Sequence, residues 1–185
     1  MKSCRCPLLL LLLLHAALAV AGDSRWIDAA SFTYGQDDDS NDIDIYRLGL
    51  QNRFERSWFH GGAWYLGGYW DMELARMDAG SGDHEELYDV SLTPVFRYQR
   101  DVNLSSGVTP FAEAGIGAHL LSDTRIGSRK LSTAYQFGSL LGVGLGFGER
   151  GQYELSYRIQ HLSNCDIKKP NNGLNMHLLR FGYSL

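Results

Sequence analysis

From residue 64 to the end of the chain, large apolar side chains recur at every second position, and glycine or charge fills the positions between. In WYLGGYWDMEL, Trp64, Leu66, Gly68, Trp70, Met72 and Leu74 share one parity, while Tyr65, Gly67, Tyr69, Asp71 and Glu73 share the other. A period of two is that of a β-strand, whose successive side chains point to opposite faces. The same alternation sets Tyr88, Val90, Leu92, Phe96 and Tyr98 against Asp89, Ser91, Thr93 and Arg97, and Ala114, Ile116 and Leu120 against Glu113, Gly115, Gly117 and His119. It continues with Leu141, Val143, Leu145 and Phe147 against Gly142, Gly144 and Gly146, then Tyr153, Leu155, Tyr157 and Ile159 against Glu154, Ser156, Arg158 and Gln160. Two weaker segments, about 26–35 and 43–52, precede these, and 174–185 ends the chain. The expected fold is all-β: an eight-stranded antiparallel transmembrane β-barrel, each strand near the ~9–11 residues that cross a bilayer at a tilt.

The direction of the faces follows from bulk. A soluble barrel would turn the aromatic face inward and show glycine and charge to water. An eight-stranded barrel has an interior only wide enough for side chains to fill it. The face rich in glycine, carboxylate and arginine suits that interior, which leaves the aromatic face to meet lipid. Asp71, Glu73, Arg97, Glu113, Glu154 and Arg158 are then expected to pair as ions inside, with no aqueous pore.

The start of the chain agrees with export. Lys2 and Arg5 precede the run Leu8–Leu14, and Ala19-Val20-Ala21 fits a small-residue cleavage site. Residues 1–21 thus read as a signal peptide and 22–185 as the mature barrel. Cys4 and Cys6 leave with it, so Cys165 is the one remaining cysteine and no intramolecular disulfide framework is available. The leader also takes two positive charges from a formal net charge of −4, leaving −6. That balance argues against nucleic acid as a partner. No His/Cys/Asp cluster has metal-ligand spacing, and no cofactor is implied. The oligomeric state is left open, a homodimer included.

Carried forward, the lipid-facing parity of the seventh strand reaches His161 and Ser163, and that of the eighth, stepping back from Leu179, reaches His177 and Asn175. His161 and Ser163 are two residues apart, about 6.5 Å along one face. A neighbour on the adjacent strand could hold the other ring nitrogen, which is the logic of a nucleophile–base–orienter triad. H-x-S alone is a weak motif, and headgroup-level polar residues are its commoner meaning. The run Asp37-Asp38-Asp39 with Asp42 in the first exterior loop is expected to be solvated, while Lys168 and Lys169 in the last have two readings, contact with lipid phosphates as point charges and a solvated loop. Cation bridging to lipid phosphates is the sharper reading of the acidic run.

The segment HLSNCDIKKPNNG is similar to the H-x-S-N…K-x-P-N-x-G segment of the lipid A 3-O-deacylases, the PagL family. WYLGGYWDMELARMD, DVSLTPVFRYQ and PFAEAGIGAHLLSDTRIG resemble that family's third to fifth strands, and Phe181, Tyr183 and Leu185 resemble the terminal assembly signal of outer-membrane barrels. The resemblance implies a multi-pass protein of the bacterial outer membrane whose substrate is lipid A, or lipopolysaccharide. It implies Ser163 as nucleophile, His161 as base, Asn164 as a residue needed for activity and Asn171 as part of the oxyanion hole. The family's third member is a glutamate, and its position here is Asn175, with Asp166 in the loop as the alternative acid. An outer-membrane phospholipase and a non-catalytic barrel are the other readings, the second because of Asn175.

Overall fold

The computed structural model describes residues 26–38, 42–80, 84–101 and 107–185. The expected signal peptide and Asp39 lie outside the described residues. Eight antiparallel strands form the wall: β1 (Ala29–Asp37), β2 (Asp44–Arg53), β3 (Trp64–Asp78), β4 (Glu86–Arg100), β5 (Val108–Leu121), β6 (Tyr135–Phe147), β7 (Tyr153–Ser163) and β8 (Leu174–Ser184). Each pairs with its neighbour in sequence, and β1 pairs with β8 from Ala29↔Ser184 to Asp37↔Met176, which closes the sheet on itself. A short strand, Trp58–Gly61, folds back on the start of β3, and the β5–β6 loop carries a small hairpin, Arg125–Ile126 with Arg129–Lys130.

The parity read from the sequence is the parity of the wall. Trp70 (42%), Tyr88 (48%), Leu141 (58%) and Tyr157 (47%) are exposed on the outside, whereas Asp71, Glu113, Arg158 and Arg180 are at most 2% exposed. An apolar belt around a closed ladder is the arrangement lipid permits, because every strand carbonyl and amide then has a partner within the wall.

Inside, the charges form one network. Arg158 reaches Glu113 at 2.7 Å and Asp71 at 3.1 Å, Arg97 joins Glu113 and Glu154, Arg180 joins Glu154, and Arg47 joins Glu73. The tyrosine hydroxyl of Tyr69 donates to Glu113 at 2.9 Å and accepts from Arg158 at 2.7 Å. Guanidinium groups suit this role because each has five donors spread in a plane. All six residues expected to pair inside do so; Arg47 and Arg180 complete the set. Small residues make the crossing possible: a side chain at Gly138 would collide with the His119 ring, whose Nδ1 bonds Asp89 at 2.8 Å.

Towards the end of the barrel opposite Ser184, the inward side chains change character. Ile45, Met77, Leu87, Leu121, Leu162, Leu174 and Met176 close the lumen as an apolar plug, and Ile126 and Leu131 from the β5–β6 loop roof it. Asp37 corrects one expectation here. It is not a solvated loop residue but the last residue of β1, fully buried, with its carboxylate accepting the Ile43 N–H at 3.0 Å and meeting Arg129 at 3.4 Å. The inward parity of β1 simply runs one residue further than the apolar pattern reveals.

Two measurements check this architecture. In a variant retaining Trp70 as its only tryptophan, brominated lipid should quench the fluorescence strongly; water-like emission in membranes would refute the assignment of faces. Arg158→Ala leaves Asp71 and Glu113 buried without their shared cation, and should cost about 3–5 kcal/mol in a urea titration of the folded, heat-modifiable band.

Candidate functional site

β7 leaves the wall at Ser163 and β8 re-enters it at Leu174, so the ladder between them fixes the residues on either side of loop 164–173. His161 pairs with Asn175 and Leu162 with Leu174; one step further, Ser163 stands across from Gly173. Leu162 and Asn164 are buried in the barrel end, while His161 is exposed and Ser163 half-exposed on the outer face. His161 Nδ1 lies 2.6 Å from Asn175 Oδ1. A carboxamide oxygen only accepts, so Nδ1 carries the proton and Nε2 presents its lone pair. The ring turns that edge towards Gly173: a Cβ there would sit 3.0 Å from Cε1 and 3.6 Å from Nε2. Gly173 also has φ of +63°, so a bare backbone at this point serves both the turn and the imidazole. Among the described residues, Ser163 Oγ makes no hydrogen bond to the ring; nucleophile–base contacts commonly tighten only when substrate is bound.

The loop is built around Asn164. Its Nδ2 donates to Leu131 O at 2.9 Å and to Lys168 O at 2.9 Å, and its backbone N–H donates to Asn171 Oδ1 at 3.3 Å. Asn172 and Lys130 exchange bonds between the two loops, and Ser132 Oγ donates to Pro170 O. Loop 164–173 is thereby latched to the β5–β6 loop. Asn171 is oriented by its oxygen, which points its amide donors away from Asn164. Cys165 and Asp166 take positive φ (52° and 61°) to turn the chain and are exposed, as are Lys168 and Lys169. The structure thus brings Asn175, and not Asp166, to the His161 ring.

Beside this pair lies a second polar group that the motif reading passed over. His177 Nε2 meets Asp38 Oδ1 at 2.8 Å, and the Tyr157 hydroxyl meets His177 Nδ1. Asp38 is therefore exposed but paired, unlike its solvated expectation. The signal was present in the parity of β8, which puts His177 on the same face as Asn175. What the sequence lacked was the β1–β8 pairing that delivers Asp38. A groove of about 390 Å³ runs over this face, lined by Asp38, Ser139, Leu141, Ile159, His161 and His177 among others.

Comparison with known proteins bears on the fold and the family. The sequence profile of the lipid A 3-O-deacylase (PagL) family matches residues 44–184. The chain is 35% identical over 168 residues to the lipid A deacylase PagL of Pseudomonas aeruginosa, covering 89% of this chain and 87% of that protein. It is 34% identical over 104 residues to the lipid A deacylase PagL of Bordetella bronchiseptica, covering 56% of this chain and 54% of that protein. The crystal structure of the outer membrane enzyme PagL superposes with a TM-score of 0.75 at 30% identity, covering 85% of this chain and 99% of the other.

The latch predicts a local effect separable from the barrel. Asn164→Ala deletes two side-chain donors, so loop 164–173 should become cleavable by protease at least tenfold faster. The heat-modifiable mobility of the folded barrel should be unchanged, since no wall contact is lost.

Proposed function

The chain belongs to the lipid A 3-O-deacylase (PagL) family, and from that premise we propose that it hydrolyses the ester-linked acyl chain at the 3-position of lipid A in the outer leaflet, with Ser163 as nucleophile. The observation that carries the residue assignment is the outward-facing His161 whose Nδ1 is bonded to Asn175, leaving Nε2 unbonded on the edge towards Gly173, with Ser163 two residues on in the same strand. An ester at the boundary of acyl chains and sugar is reached only from the lipid side of a barrel, and only near its rim. His161 and Ser163 are in that position.

The steps follow from the donors and acceptors present. Ser163 Oγ attacks the ester carbonyl carbon while its proton passes to His161 Nε2. The imidazolium is held through Nδ1–H by Asn175 Oδ1. The tetrahedral oxyanion meets the Asn171 amide N–H groups, which Asn164 orients. Collapse breaks the bond to the sugar oxygen, which leaves with the proton from His161, and the acyl group remains on Ser163. Water then gives a proton to His161 and attacks the acyl carbon; the bond to Ser163 Oγ breaks, Oγ takes the proton back from His161, and the fatty acid is released. Lys168 and Lys169 on the exposed rim are placed to meet lipid A phosphates as point charges. Asn175 orients the ring, but as a neutral partner: a hydrogen bond of this kind contributes about 0.5–1.5 kcal/mol against about 1.5–3 kcal/mol for a charged one.

Mass spectrometry of lipid A from cells expressing the full chain tests the reading. Loss of one 3-hydroxyacyl chain is expected. Unchanged lipid A with accumulating lysophospholipid would make the protein a phospholipase, and no change in either would make it a non-catalytic barrel. Ser163→Ala and His161→Ala should each abolish the loss without altering heat-modifiable mobility, since neither fills the lumen. Asn175→Glu should raise turnover about three- to tenfold, the gain from charging the orienting partner.

A further inference from the structure

The Asp38 carboxylate and His161 share one row of the outer face. The Asp38 backbone N–H donates to Asn175 O at 2.9 Å, one step beyond the Asp37↔Met176 pair, and Asn175 pairs with His161. Asp38, Asn175 and His161 are thus successive cross-strand neighbours on β1's end, β8 and β7, at about 4.5–5.5 Å between neighbouring Cβ atoms. All three side chains are exposed on the outer face and line the same groove. Asn175 spends its oxygen on His161, so what remains of its amide is two N–H donors. Asp38 spends one oxygen, Oδ1, on His177, and Tyr157 fixes the other nitrogen of that ring. The second oxygen of Asp38 is left with Asn175 as its cross-strand neighbour.

We propose that Asp38 is a positioning residue for the reaction: its carboxylate, steadied by His177, supplies through the Asn175 amide the negative charge that position 175 itself lacks. When His161 takes the Ser163 proton, the imidazolium donates to Asn175 Oδ1, which polarises the amide; its N–H groups, which make no bond to Asp38 at rest, then donate to the neighbouring Asp38 carboxylate. No proton moves beyond His161. The anion acts at one remove, and the stabilisation appears as the imidazolium forms, so it belongs to kcat rather than to substrate binding. This inference rests on the deacylase reading above.

A double-mutant cycle in the full chain, refolded in detergent and assayed on lipid A, separates this role from a structural one. Asp38→Asn keeps the shape and removes the charge; it should lower kcat about tenfold with KM unchanged, and Asp38→Glu should restore most of it. In the Asn175→Glu background His161 has its own carboxylate, and Asp38 becomes a like-charged neighbour. There, Asp38→Asn should lower kcat less than about twofold, or raise it. Equal losses in both backgrounds, a loss confined to KM, or no loss in either would overturn the proposal while leaving the deacylase reading intact. A parent chain with no release of fatty acid would overturn both. Heat-modifiable mobility of each variant confirms that a folded barrel is being compared.

Discussion

Lipid offers the peptide backbone no hydrogen-bond partner, and the rest of this structure depends on that. The ladder must close, so β1 meets β8 and all eight strands take their place in one ring. Closure at eight strands leaves a lumen that only side chains can occupy. The outer parity is then committed to the bilayer, and through the middle of the wall the charges are turned inward, where arginine and carboxylate have to satisfy one another; outward charges such as Arg76, Asp78 and Glu86 stand at the strand ends. Polar groups return to the outside only where the wall approaches the rim, as at Ser139, His161, Asn175 and His177.

That constraint changes how the site is held. In a water-soluble esterase, catalytic side chains converge in a cleft and are braced by packing on several sides. Here the candidate site residues stand on the convex surface of a cylinder, and the ladder register does most of the bracing. His161 meets Asn175 because the two are paired in β7 and β8, and the loop that joins those strands is held by Asn164, whose N–H donates to Asn171 Oδ1 and whose side chain donates to Leu131 O. The apolar plug serves the same end: Leu162 and Leu174, both fully enclosed, fasten the inner face of the strand ends whose outer face carries His161 and Asn175.

Most of the wall was legible in the sequence because period two is a physical necessity for a strand with unlike faces. Trp70 and Asp71 declare their sides unaided. The pattern misled where its polarity inverts, as at Leu162, Leu174 and Met176: there the inward residues are apolar and their outward neighbours His161, Ser163, Asn175 and His177 are polar, so alternation alone does not announce the plug. Asp37 was misread for a related reason: three consecutive aspartates suggest water, yet the first continues the inward face of β1 and caps the backbone of Ile43. The His161–Ser163 pair and its partner on the next strand followed from parity within one hairpin. Asp38 did not, because its place beside Asn175 depends on a pairing between the first and last strands, about as non-local as contacts in a chain can be.

The position of that pairing has a temporal meaning. The seam between β1 and β8 is where a nascent barrel shuts, and the row Asp38–Asn175–His161 is stitched across it. The last hairpin can align His161 with Asn175 on its own, and the loop above it can be latched only once the β5–β6 hairpin stands alongside. The acidic end of the row arrives with closure. The row Asp38–Asn175–His161 is therefore whole only in the closed barrel, and an unassembled chain holds no more of it than one hairpin can.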